Sequence, residues 1–256
     1  MKFGLCTLSR TESPVESVVR TAGDVGYDGV EIWGKDHVDS GDEGVCRSIR
    51  DAAQTHDLEI PVYGSYARAG SAEFGDEIAD EVAIADRLDA DLIRLWAGSQ
   101  EYGDHDDAHW EAVVEDLETA AELAADRGLA VTVEKHANTL TNDTEGAERL
   151  IEAVSHPACL LNWQPVFGMP ADEVVADAER LVGLSNNVHI QAVPDPESSP
   201  SDRCLLEDAY FDVEAILEVF AADGFDGFVN VEFVTDDVAY EEAIEADLEY
   251  LRSLAV

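Results

Sequence analysis

Short apolar runs alternate with acidic, alanine-rich amphipathic stretches eight times along the chain, and few folds accommodate such an alternation. The strand candidates are "KFGLCT" (2–7), "GVEIW" (29–33), "LEIPVYG" (58–64), "DLIRLWA" (91–97), "LAVTVE" (129–134), "ACLLNW" (158–163), "NVHIQAV" (187–193) and "GFVNVEF" (227–233). Helical patterns fall near 14–26, 42–56, 72–88, 107–127, 143–154, 171–182, 211–222 and 238–254. Turns such as "DVGYDGV", "ADRGLAV" and "ADGFDGF" stop a helix just before the next strand. Eight βα units with no second core segment predict a single (β/α)8 TIM barrel over residues 1–256, one α/β domain. A doubly wound open sheet is the alternative, but no Gly-rich phosphate loop follows the first strand. The longest irregular stretch, 194–210, follows strand 7 and is expected to lie over the barrel top.

Strand pleating sends successive side chains to opposite faces. In "VTVEKHANTLTND" (131–143), Val131 and Val133 share one parity, while Thr132, Glu134 and His136 share the other. The same division recurs. Val30 and Ile32 oppose Glu31 and Trp33; Ile93 and Leu95 oppose Arg94 and Trp96. Leu161 and Trp163 oppose Asn162 and Gln164; Val188 and Ile190 oppose His189 and Gln191; Val229, Val231 and Phe233 oppose Asn230 and Glu232. Six strands thus carry polar groups on one parity near their C-terminal ends, where a purely structural barrel would place Val, Ile or Leu. Buried polar groups cost free energy unless paired or put to use, so the ring is expected to line one pocket.

Composition limits the partners. The chain holds 57 Asp plus Glu against 15 Lys plus Arg, a formal net charge of −42, and its only lysines are Lys2, Lys35 and Lys135. The acids are spread over every helix, which predicts a salt-adapted protein of a high-salt cytoplasm. Nucleic acid is not expected, since phosphate binding needs clustered cations. The four cysteines (Cys6, Cys46, Cys159, Cys204) include no CxxC pair, and most read as small core residues. The N-terminus turns polar too soon for a signal peptide, and no run is long enough for a membrane span.

Glu134, His189 and Glu232, from strands 5, 7 and 8, can converge on one point. Two carboxylates and an imidazole suit a divalent cation such as Mn²⁺, Mg²⁺, Co²⁺ or Zn²⁺. Such a cation holds a hydroxyl and a carbonyl oxygen and acidifies the neighbouring C–H, while a carboxylate on each side moves the proton. On this reading Glu134 and Glu232 are the catalytic candidates. Arg94, His136 and Gln191 would grip hydroxyls or an enediolate. Trp33, Tyr63 and Trp96 would face the substrate with their rings, and Glu31 lines the same pocket. No nucleophilic Ser or Cys sits beside a His at a strand end, so acyl transfer has no support.

At these residues the chain resembles the xylose isomerase-like TIM-barrel superfamily of sugar phosphate isomerases and epimerases, with endonuclease IV a more distant relative. The resemblance rests on "GYDGVEIW", "IRLWAG", "VTVEKH", "LNWQP", "VHIQ" and "NVEF", and spans essentially the whole chain. It implies one divalent metal held by Glu134, by a strand-6 residue, by His189 and by Glu232. On strand 6 the family's Asp and following His are replaced by Gln164 and Phe167, so the fourth ligand becomes Gln164. On strand 7 the "HxKD" ending is "HIQA", without the Lys and the Asp. The implied activity is a sugar or polyol isomerase or epimerase working by metal-assisted enolisation on an unphosphorylated small molecule. The alternatives are a keto-sugar or cyclitol dehydratase or lyase, and a non-catalytic sugar-binding barrel with a degenerate metal site. Relatives often form dimers or tetramers, so a homo-oligomer is a further implication. An abasic-site nuclease needs more His and Asp ligands than this ring offers, and a surface at −42 repels DNA.

Charge density generates the first prediction. Screening at 1 M salt shortens the electrostatic reach to about 3 Å. The urea midpoint should therefore rise steeply between dilute buffer and molar KCl; equal midpoints in the two would refute salt adaptation.

Overall fold

The computed structural model describes residues 1–254. Eight parallel strands close into a barrel in chain order: β1 Lys2–Cys6, β2 Gly29–Trp33, β3 Val62–Ala69, β4 Leu92–Ala97, β5 Ala130–Glu134, β6 Cys159–Trp163, β7 Ser185–Ile190 and β8 Phe228–Val231, with β8 pairing back on β1. Around it lie α1 Val15–Val25, α2 Lys35–Val38, α3 Glu43–Thr55, α4 Phe74–Leu88, α5 Asp107–Ala125, α6 Thr144–Val154, α7 Ala171–Leu181, α8 Val213–Asp223 and α9 Tyr240–Ser253. The one-turn α2 was not legible in the sequence. No helix among the described residues is long and apolar enough to cross a membrane.

Local chemistry sets the helix ends. Asp42, Asp106, Asp143 and Asp212 each cap a helix by accepting from backbone N–H groups two or three residues on, satisfying donors the helix cannot. Gly26 and Gly224 end α1 and α8 at φ 103° and 82°, a left-handed conformation that costs any residue with a Cβ.

Strand 3 departs from expectation. The first part of the apolar run, 58–61, has only an isolated bridge from Glu59 to Gly29, and the ladder begins at Val62. Pro61 has no N–H to give, though its carbonyl accepts from Leu92. The strand then continues to Ala69, with a bulge against β4 between Gly64 and Arg68.

The hydrophobic core lies between barrel and helices. Val30, Ile32, Ile93, Leu95, Val131, Val133, Val188, Ile190, Val229 and Val231 are fully buried there, each worth roughly 1.5–3 kcal/mol on transfer from water. A buried ion pair crosses this layer: Lys135 Nζ lies 3.3 Å from Asp177 of α7. Asp177 also accepts from Trp163 Nε1 (2.8 Å) and Thr144 Oγ1 (2.5 Å).

Inside the barrel a polar row lies beneath the strand ends. Asn230 donates to Asn187, which donates to Asn162, at 3.0 and 2.9 Å. Gly4 makes this row fit, since a Cβ there would stand 1.9 Å from Asn230 Oδ1.

On α9, Asp247 is buried and accepts the Leu206 N–H at 2.8 Å, but its second oxygen has no partner. Burial, only partly opposed by that hydrogen bond, raises its pKa from 3.8 to about 7. The folded state therefore binds more protons than the unfolded one between pH 4 and 7. The stability contributed by this group is full below pH 4 and is lost as pH rises through 7. Asp247→Asn should flatten that component and gain on the order of 2–4 kcal/mol over the native chain at pH 8. Paired urea titrations at pH 4.5 and 8 check this; an unchanged difference between the two proteins would contradict it.

Candidate active site

Pleat alternation carries Glu31, Arg94, Glu134, His189 and Glu232 to the inside of the barrel at the C-terminal ends of β2, β4, β5, β7 and β8. All five are at least 96% removed from solvent. Arg94 is the hub. Its Nη1 lies 2.9 Å from Glu134 and 3.7 Å from Glu232, and its Nε lies 3.3 Å from Glu31. Gly64 opposite leaves room for the guanidinium, because a Cβ there would stand 2.9 Å from Arg94 Nη2.

His189 is held from below. Its Nε2 lies 2.6 Å from Glu31, whose carboxylate can only accept, so this nitrogen carries a proton. Its Nδ1 looks the other way, 3.5 Å from Glu232, and has no hydrogen-bond partner. One ligand atom each from Glu134, His189 and Glu232 fall within 4.8 Å of one another. Glu134 Oε2 also lacks a partner.

Electrostatics separates the two carboxylates facing the cavity. Burial raises Glu134 above its ordinary pKa even against the Arg94 charge. Burial pushes Glu232 up as well, but His189, Arg94 and Arg203 together outweigh it and hold its pKa below the ordinary value. For His189, burial disfavours the imidazolium, yet Glu31 and Glu232 override it and lift the pKa to about 10. Three carboxylates against one guanidinium and one imidazolium leave the cluster at −1. A divalent cation in place of the His189 Nδ1 proton would bring it to zero, so the donor set fits such an ion in charge as well as in kind.

Above the cluster opens a cavity of about 410 Å³, a size suited to a small metabolite. Arg94, Trp96, Glu134, His136, Gln164, Gln191 and Glu232 all line it. The Trp96 and His136 rings lie 4.5 Å apart, tilted by 42°, and His136 Nδ1 donates to the Ala137 carbonyl at 2.6 Å, which leaves Nε2 free.

Four expected site residues sit elsewhere or otherwise than the sequence suggests. Glu31 lies beneath the cavity, gripping His189 and Arg94. Trp33 stands behind the wall, donating from Nε1 to Tyr66 Oη at 2.8 Å. Tyr63 is not in the pocket: it shares the parity of Ile32 and Ile93, faces α4, and donates to Glu81 at 2.9 Å. Gln164 turns its amide nitrogen to Glu134 (3.2 Å), while its oxygen accepts from Gln191 (3.1 Å). So oriented it is a donor to the carboxylate, and its oxygen is already engaged by Gln191. Gln191 also donates to Glu232 at 2.6 Å.

Sequence reasoning missed Tyr66, Asn138 and Phe233, all of which line the cavity; Arg203, one of the loop cations within reach of the pocket mouth, lines it too. Extending β3 two residues past Gly64 would have found Tyr66. Phe233 was assigned to the outer parity, but β8 ends at Val231 and its pairing with β7 closes with the Glu232 N–H on the Ile190 carbonyl; past that bond the alternation no longer holds.

A sequence profile of xylose isomerase-like TIM barrels matches residues 19–254. Fructoselysine 3-epimerase of Shigella flexneri is 22% identical over 263 residues, covering 92% of this chain and 91% of that protein. 3-Dehydroshikimate dehydratase of Bacillus anthracis is 28% identical over 170 residues, covering 63% and 61%. Among solved structures, the probable 3-DHS dehydratase AsbF from Bacillus anthracis superposes with a TM-score of 0.82 at 20% identity, over 98% of this chain and 99% of that one. The IolI protein, solved with a bound zinc atom, gives 0.79 at 17% identity, over 99% and 98%. At such identities the superpositions show the shared barrel.

Removing the hub should be costly. Arg94→Met leaves buried carboxylates without their cation, a loss of about 3–5 kcal/mol. Adding Glu134→Gln to that variant should recover part of it, because one of the stranded charges is gone. Urea unfolding of the two single variants and the double variant measures the coupling; strict additivity would show that the pair does not interact.

Proposed function

The chain belongs to the xylose isomerase-like TIM-barrel family, and from that premise we propose that it is a sugar or polyol isomerase or epimerase acting by enolisation beside a carbonyl. The observation that carries the reading is the convergence of Glu134, His189 and Glu232 at the cavity floor, with His189 Nδ1 and Glu134 Oε2 left without partners. These three residues would hold a divalent cation, Mn²⁺, Mg²⁺, Co²⁺ or Zn²⁺, which supplies Lewis acidity to a carbonyl and an adjacent hydroxyl oxygen.

The chain's own groups do the rest. Glu134 and Glu232 reach the cavity from β5 and β8, so a bound polyol lies between two carboxylates; one takes the proton from carbon and the other returns it. Arg94 stands between them and offsets the negative charge that develops on the enediolate oxygens. Glu31 fixes the His189 tautomer and orientation from below. Gln191 and Gln164 offer amide groups to hydroxyls, and Trp96 with Tyr66 gives an apolar wall for a carbon skeleton.

His136 favours a second reading, a dehydratase or lyase. Its free Nε2 adds a third acid–base group on the cavity wall; once it has taken a proton it can pass it to the departing hydroxyl in a β-elimination. The likeness to a dehydratase at 28% identity points the same way. Both reactions share the enolisation step and diverge only in where the next proton goes.

Protein purified in molar KCl should carry or take up about one divalent ion per chain, lost in Glu134→Gln and Glu232→Gln. With Mn²⁺ or Co²⁺ it should exchange a carbon-bound proton of a ketose or inosose for solvent deuterium, read by NMR. Product analysis separates epimer from dehydrated product. A protein that takes up no metal and exchanges no proton is a binder with a degenerate site, and the enolisation reading falls.

A further inference from the structure

We infer that the substrate of this pocket carries a carboxylate, and that Arg203 is the residue that selects it; the inference builds on the enolising site proposed above by naming its substrate class. Arg203 lies in the loop that follows β7. The Cys204 N–H donates to the Ala192 carbonyl at 3.2 Å, pinning this part of the loop against the end of the strand. The guanidinium is laid over the cavity mouth between Phe233 and Phe167, 4.6 and 5.2 Å from their ring centres. Its Nη1 is buried and donates to nothing.

An unpartnered guanidinium is unexpected in this chain. There are 57 carboxylates for 15 cations, and most of the cations are paired. Among the described residues no carboxylate forms an ion pair with Arg203, although it lines the cavity together with Glu232. Arg94, by contrast, lies within 3.7 Å of three carboxylates. A buried N–H without an acceptor costs free energy, and an acid group on the ligand would supply that acceptor. The flat fork of a guanidinium matches a carboxylate in two-point contact. A phosphate dianion would call for more cations at the mouth. Of the other loop cations, Arg68 donates to the Gly98 carbonyl and covers the Trp96 ring, and Lys35 lies over the Tyr66 ring; neither lines the cavity. The structure thus assigns a polyhydroxy keto acid, its acid group at Arg203 and its carbonyl at the Glu134–His189–Glu232 floor.

The test compares matched six-carbon probes in molar KCl, where non-specific attraction is screened. Uronic and aldonic acids are titrated beside their neutral parent sugars and 6-phosphates, with tryptophan fluorescence as the readout. The acids should bind about 10- to 100-fold more tightly than the neutral parents. In Arg203→Gln the ratio should collapse to about one. Arg203→Lys should restore part of it, which shows that the fold is intact. Arg127→Gln, which removes an exposed cation, should leave the ratio as it was. Equal affinity for acids and neutral sugars, failure of every acid to bind, or a ratio that survives Arg203→Gln overturns the inference. So does a preference for the 6-phosphates. Deuterium exchange at carbon is scored separately. Exchange without acid preference keeps the enolising reading and removes this one; acid preference without exchange does the reverse.

Discussion

Arg94 is buried among Glu31, Glu134 and Glu232, with His189 bridging two of the same carboxylates. None of these charges survives alone in such a place, since removing any one leaves its partners desolvated and unbalanced. The cluster draws one side chain from each of β2, β4, β5, β7 and β8, and so it requires those strands to stand in one register. The rest of the interior follows from it. Gly64 is small because the guanidinium needs the space, and Gly4 is small because the asparagine row beneath does.

The consequence for packing is a division of labour between the two faces of the sheet. Apolar stabilisation comes almost wholly from the outer face, where Val, Ile and Leu of the strands meet the helices. The inner face contributes little of that kind and is held by hydrogen bonds and opposed charges. A barrel built this way gives up part of its inner hydrophobic filling in exchange for a preorganised polar floor, where groups need not reorient when charge develops on a ligand.

Much of this was legible in the residues because pleating is a period-two rule. Glu31, Arg94, Glu134, His189 and Glu232 were placed inside by parity alone, and the eightfold alternation gave the barrel. What parity missed lies where its premise fails. Pro61 delays the start of β3, and the bulge beyond Gly64 adds residues, so Tyr66 took the place expected of Tyr63. Phe233 stands past the end of β8. Arg203 belongs to a loop with no period at all, and nothing in "SPSDRCLL" says which way its side chain turns. The orientation of the Gln164 amide is likewise set by its neighbours Glu134 and Gln191, which come from other strands.

Glu134 and Lys135 are consecutive, yet one faces the cavity and the other is clamped to Asp177 in the helix layer. A slip of β5 by a single residue would exchange them. The ammonium would then meet the Arg94 guanidinium, and the carboxylate would enter the layer that holds Asp177. Both contacts repel, so a misaligned β5 carries an electrostatic cost on both faces of the sheet. The pair thus works as a proofreading device for assembly: the residue that serves the chemistry and the one behind it jointly reject the nearest wrong fold.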